Sequence, residues 1–286
     1  MQTEKERYIF PFFWLHGEDE EKLREYMKVI DESNCKAVCV ESRPHPEFCG
    51  EKWWKDMDVI LDEAKKRDMK VWILDDSHFP TGFANGAAMK AEDRLRRQSV
   101  YTKKFDVEKR QKQMSLNIKK VMYKSSKLTF LGKFMAGTDK DSKHIFADDR
   151  LLAISARVKG EKEPRLLYDE KQVDVNQKKL TIQLPEQTEK VYVTFLTRNA
   201  GIHKSYMNML DEESCRLLID AVYEPHYAHY QEDFGDTIAG FFSDEPEIGN
   251  GHLYQMDQKI YQMEDQPWSR ELAQDLEKTF GTEYAK

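Results

Sequence analysis

Cysteine is sparse in this chain, four residues among 286, and none of the four has the CxxC spacing of a metal knuckle. Positions 35, 39, 49 and 215 therefore read as free thiols. Long apolar runs are missing too: nothing approaches the roughly 20 residues that a membrane span needs. The opening stretch Met1–Arg7 lacks the apolar centre of a secretory signal. A cytoplasmic location with no membrane partner is expected. Basic excess is absent as well. With 45 Lys and Arg against 52 Asp and Glu the net charge is −7, which lends no support to a nucleic-acid partner. No GxGxxG follows the first apolar segment and no GxxxxGK occurs, which weighs against the nucleotide folds. What is present, 40% hydrophobic and 12% aromatic residues, suffices for a sizeable core.

The charge is not spread evenly. Residues 99–200 hold 22 basic and 13 acidic side chains, a net of +9, while the rest of the chain carries −16. Such a contrast points to separately folded units. Within the basic segment, Leu151–Val158, Val173–Val175, Leu180–Leu184 and Val191–Phe195 alternate apolar with polar residues, the period of half-buried strands. Residues 99–200 are therefore expected to form an inserted antiparallel β domain whose lysines make a solvated face.

The flanks alternate strand and helix. Tyr8–Trp14 is an apolar strand blemished by Pro11, and residues 19–33 place Leu23, Met27 and Ile30 on one helical face. Ala37–Val40 and Lys70–Leu74 are further strands, separated by a helix carrying Trp53, Trp54, Met57, Ile60, Leu61 and Ala64. After the insert come a helix over 212–230 with a kink expected at Pro225, the strand Thr237–Phe242, and a helix over 267–279 that Gly281 would cap. Alternating βα units imply a parallel sheet, either a doubly wound sheet or a barrel. The polar residues favour the barrel, because each apolar strand delivers them at its C-terminal end, where a (β/α)8 barrel builds its active site. The expected fold is α/β: a partial (β/α)8 barrel of about four βα units. Residues 1–98 are its first part, 99–200 the β insert and 201–286 its continuation. With some 184 residues outside the insert, against about 250 in a typical barrel, the barrel reads as cut short.

Those strand ends name the candidate site. Trp14 and His16 follow the first strand, Glu41 and Arg43 the second, Asp75, Asp76 and His78 the third, and Asp244 and Glu245 the fourth. A carboxylic acid at a strand end, enclosed by Phe241 and Phe242, would have its pKa raised by desolvation and could donate a proton. Two carboxylates across a sugar are the minimum machinery for glycoside hydrolysis. Tryptophans would stack on a pyranose, and Arg43 could grip its hydroxyls. The same Asp-Glu-Pro could equally be a helix-capping loop. His226-Tyr-Ala-His229 lacks the glutamate of a zinc-binding HExxH. A metal site built from His16, His78 and Asp75 is the weaker rival, and no oxygen-rich calcium loop is readable. No metal and no cofactor are expected.

The order of Phe12–Gly17, Glu41–Pro44, Glu51–Trp54, Val71–Asp76, Phe79–Gly86 and Gly240–Pro246 resembles the catalytic domain of bacterial glycosyl hydrolases similar to the α-L-rhamnosidases of glycoside hydrolase family 106. The likeness covers nearly the whole chain, and in that group too a β-rich insert falls between the third and fourth strands. The resemblance implies a glycosidase acting on an oligosaccharide or glycoside. Glu245 would be the general acid, and Trp14, His16, Glu41, Arg43, Asp75, Asp76, His78 and Asp244 the substrate-binding rim. It also implies a second catalytic carboxylate on later strands, so the missing C-terminal half of the barrel is the expected partner. Asp75 or Asp76 could stand in for that carboxylate. A non-catalytic carbohydrate-binding remnant is the alternative. The loop Pro44–Cys49 departs from the glycine-bearing run of that group.

Overall fold

The computed structural model describes residues 9–122, 144–200, 203–248 and 265–281. Tyr8 and the Met1–Arg7 stretch lie outside them. The chain divides into two compact units: residues up to 91 together with 212–247, and residues 92–211 together with 248–286. The protein is mixed α/β, with one parallel sheet in the first unit and antiparallel sheets in the second. Among the described residues no helix is long and apolar enough to cross a membrane.

In the first unit the sheet contains β1 (Phe12–Trp14), β2 (Ala37–Glu41), β3 (Lys70–Leu74) and β10 (Ile238–Phe242), side by side in that order and all parallel. The first strand begins only after Pro11, which has no N–H to give a ladder but whose carbonyl accepts from Cys39 N at 2.9 Å. Helix α1 (Glu20–Glu32) starts where the Asp19 carboxylate accepts from Lys22 N at 2.9 Å. Its Leu23 and Met27, one helical turn apart, are buried. Helix α2 (Glu51–Lys66) buries Trp53, Met57, Ile60, Leu61 and Ala64, each apolar side chain of that size adding about 1.5–3 kcal/mol when fully covered. Both buried carboxylates on this helix have partners: Glu63 is held by Arg24, Lys66 and Arg67, and Asp56 by Lys52 and His45.

The expected helix over 212–230 is interrupted. It runs as α5 (Glu212–Leu218), a π turn at Ile219–Tyr223, and α6 (Glu224–Tyr230). The break falls just before Pro225 rather than at it. Proline supplies no N–H to the carbonyl four residues earlier, so the ladder widens in the preceding turn. The π turn also aims His226 at α2. Its Nε2 accepts from Trp53 Nε1 at 2.9 Å, and its Nδ1 lies 2.6 Å from the Val222 carbonyl. The ring is therefore neutral and protonated on Nδ1. Burial lowers its pKa to about 4 from the usual 6.5. As pH falls, the unfolded chain takes up this proton first. The stability contributed by neutral His226 is whole above pH 6.5 and is lost progressively down to about pH 4, roughly 3 kcal/mol in all. Urea unfolding followed by tryptophan fluorescence between pH 7 and pH 4 should report that decline, and His226→Gln should flatten it.

The two faces of the parallel sheet differ. Phe13 and Phe241 point to the helices, against Tyr26 and Tyr223 respectively. Phe12, Cys39, Trp72 and Gly240 share the other face by register. A Cβ on Gly240 would sit 3.1 Å from Trp72 Cζ3, and its φ of +153° is a glycine conformation. The rings of Phe12 and Phe242 meet edge to face at 5.4 Å, although two strands lie between theirs. In a flat sheet the backbones of β1 and β10 would be roughly 14 Å apart. The sheet curls toward this face.

The second unit has a five-stranded antiparallel sheet ordered β11-β4-β9-β6-β7: Asp265–Trp268, Gln98–Asp106, Thr188–Thr197, Arg150–Val158 and Arg165–Asp169. A ribbon of β5 (Gln113–Leu116) and β8 (Leu180–Gln183) packs Met114, Leu116 and Ile182 into one core with Tyr101, Ile154, Val191, Val193 and Phe195. Three expectations change here. Val173–Val175 is a turn, not a strand, because Asp174 accepts the Asn176 and Gln177 amides through its side chain and carbonyl. The unit spans 92–211 rather than 99–200. And residues 265–281 do not continue the parallel sheet: β11 pairs antiparallel with β4, carrying α7 (Arg270–Phe280) with it. That helix ends at Gly281, whose N–H reaches the Glu277 carbonyl at 2.8 Å and whose φ is +87°, as a glycine cap requires.

Candidate active site

Because the four strands are parallel and adjacent, their C-terminal tips form one row. At the second tip Glu41 is buried at the end of β2, and Arg43 folds back on it. The guanidinium gives Nε to Glu41 Oε1 at 2.5 Å and Nη2 to Oε2 at 2.8 Å, a bidentate pair. Nη2 also donates to Asp244 Oδ2 at 2.6 Å, which ties the second tip to the fourth across 201 residues of sequence. The Phe79 ring, 5.5 Å from the guanidinium carbon, closes the arrangement. Burial works against the arginine's charge, but the bonds from Glu41 and Asp244 outweigh it and raise its pKa. Trp14 is the register partner of Glu41 on the neighbouring strand, and its side chain is 54% exposed. Glu41, Arg43, Asp244 and Trp14 are thus brought together.

Asp75 and Asp76 are not on the rim. Both are fully buried, and each is consumed by internal bonds. Asp75 Oδ1 accepts from Thr81 Oγ1 at 2.6 Å, and Oδ2 accepts from Tyr223 OH at 2.8 Å and Ser243 Oγ at 2.5 Å. Burial pushes its carboxyl above the usual range, the three hydroxyls pull it back, and burial prevails. Thr81 in turn receives Asp244 N at 2.9 Å and donates its own N–H to the Asp244 carbonyl. Asp75 therefore fastens the fourth tip to the loop after the third. Asp76 accepts four backbone amides, those of His78, Gly82, Ala84 and Asn85, at 2.8–3.3 Å. It organises that loop, in which Ala84, Asn85 and Gly86 all have positive φ.

No protein-family model, curated protein or solved structure matches the chain.

The chemistry must therefore come from the residues themselves. The two rim histidines remain peripheral. His16 is exposed beside Glu18 at 3.2 Å, and His78 Nδ1 lies 3.0 Å from Ser77 Oγ. Neither joins Asp75, and among the described residues no group of three His, Cys, Asp or Glu is arranged to hold a metal ion. His226 and His229 do not converge on a ligand either, since His229 stacks on Trp54 at 3.9 Å. Glu245 is exposed, and Phe241 does not enclose it, because that ring points into the helical layer. Its backbone has φ +45°, uncommon for a residue with a side chain. Among the described residues its carboxylate has no hydrogen-bond or ion-pair partner. Phe79, Thr81, Tyr223 and Ser243 are the site residues that sequence reasoning missed. The runs Phe79–Gly82 and Gly240–Pro246 held a local signal for three of them, and Tyr223 had none.

Proposed function

We propose that the four parallel strands are the first half of a (β/α)8 barrel and that the protein works as an α-L-rhamnosidase-like glycoside hydrolase, with Glu245 donating a proton to the departing glycosidic oxygen. The observation that carries this reading is the fourth tip. Its Asp244 is clamped to Arg43 and Glu41, and the next residue, Glu245, is held in a left-handed conformation with its carboxylate unengaged. Strain of that kind, about 1–3 kcal/mol, is retained where a side chain has to be aimed. The curl of the sheet toward the face that carries Phe12, and the exposed Trp14 ring, are further support.

Glycosidic cleavage needs a second carboxylate, about 5–5.5 Å from the acid for retention or about 6.5–9.5 Å for inversion. Asp75, Asp76 and Glu41 are all occupied, so in this reading the second carboxylate comes from the strands that close the barrel. The same occupancy favours a second reading, a carbohydrate-binding module without turnover. Nitrophenol release from a panel of 4-nitrophenyl glycosides, α-L-rhamnoside included, decides between them. Turnover of at least one neutral glycoside by the closed-barrel form is expected. Binding with no release supports the second reading, and neither binding nor release removes both.

A further inference from the structure

Arginine has five N–H donors. At Arg43, Nε and one hydrogen of Nη2 go to Glu41 and the other hydrogen of Nη2 goes to Asp244 Oδ2. Among the described residues both hydrogens of Nη1 and the oxygen Oδ1 of Asp244 have no partner. A free donor and a free acceptor thus sit on two side chains locked together by a 2.6 Å bond, each about one-fifth exposed. Two hydroxyls on adjacent carbons match that pair: one oxygen accepts from Nη1, and the other hydroxyl donates to Oδ1.

Charge narrows the ligand further. One guanidinium lies between the carboxylates of Glu41 and Asp244, and Glu245 follows in sequence. The positive charge is already compensated, so an anionic ligand would meet net negative potential at this rim. Beside the pair, on the register partner of Glu41, lies the exposed indole of Trp14. An aromatic ring suits the C–H face of a pyranose and takes no part in reading its hydroxyls.

Resting on the glycosidase reading, we infer that this rim takes a neutral pyranoside through a vicinal diol clamped by Arg43 Nη1 and Asp244 Oδ1, and that it rejects uronic acids. The test is ligand-observed NMR on the full chain, with Glu245 intact. The probes are methyl α-L-rhamnoside, methyl α-D-mannoside and methyl β-D-galactoside, their 2-deoxy and 3-deoxy counterparts, the matching mannuronoside and galacturonoside, and adenosine. At least one neutral glycoside should bind, with a deoxy counterpart and the uronoside each weaker by about tenfold or more. Asp244→Ala should weaken the neutral ligand by a similar factor and narrow the gap to the uronoside. The wild-type ligand series stands by itself if that variant fails to fold. Deoxy sugars binding equally well, uronosides binding as well as neutral sugars, adenosine binding best, or no glycoside binding would each overturn the clamp. The outcome is separable from that of the glycosidase reading. Loss of turnover in Glu245→Gln with undiscriminating binding rejects the clamp alone, and discriminating binding with turnover independent of Glu245 rejects the acid alone.

Discussion

Glutamine at position 245 should lower turnover of unactivated aryl glycosides by about 10²–10⁴-fold, the usual worth of a positioned general acid. The loss should depend on the leaving group. A 2,4-dinitrophenolate departs without being protonated, so its glycosides should lose less than about tenfold in the same variant. The melting temperature should hardly move, because the side chain is exposed and has no partner among the described residues. Glu245→Gly sharpens the case: with φ at +45° glycine is the comfortable residue. That variant should be no less stable than the native protein and equally slow. Equal losses with both leaving groups would remove Glu245 from the acid role, and unchanged turnover would remove the mechanism.

Asp76→Ala is expected to be the most damaging single substitution in the first unit, costing at least about 4 kcal/mol. Four backbone amides lose their acceptor together, and each orphaned buried donor costs about 1–3 kcal/mol. Two of those bonds hold Ala84 and Asn85 at φ of 54° and 51°, a conformation that non-glycine residues resist by about 1–2 kcal/mol each. Four of the five tryptophans belong to this unit, so fluorescence-monitored unfolding reads it selectively. The neighbouring Asp75→Asn should cost clearly less. Its carboxylate pays a burial penalty already, which the amide avoids, and the hydroxyls of Thr81, Tyr223 and Ser243 can rotate to suit a new partner. Equal losses for the two aspartates would contradict the roles given to them.

That contrast marks where local reading stops. Asp75 and Asp76 are adjacent, identical in type, and follow the same strand, so no pattern separates them. One meets three hydroxyls and the other four amides only because the chain returns through Tyr223 and Ser243 and turns tightly at 82–85. Glu245 is a similar case. Its place after a strand was legible, but whether Phe241 would enclose it depended on which face of β10 that ring occupies. Alternation over two or three residues beyond a strand end does not carry that information. The Val173–Val175 misreading has the same origin, since three alternating residues cannot outweigh one aspartate bonding to the amides that follow it.

Periodicity along the chain was sufficient for the parallel strands, for the amphipathic helices around Leu23 and Met57, and for β6, β8 and β9 of the second unit. Each of those signals is local, and solvent sorts apolar from polar side chains within a few residues. Only the folded chain decided that β11 and α7 go with the second unit, that Arg43 bridges Glu41 to Asp244, and that the third tip faces inward. Those outcomes rest on contacts between distant segments, whose partners are chosen by strand pairing and by the need of every buried charge for a counterpart.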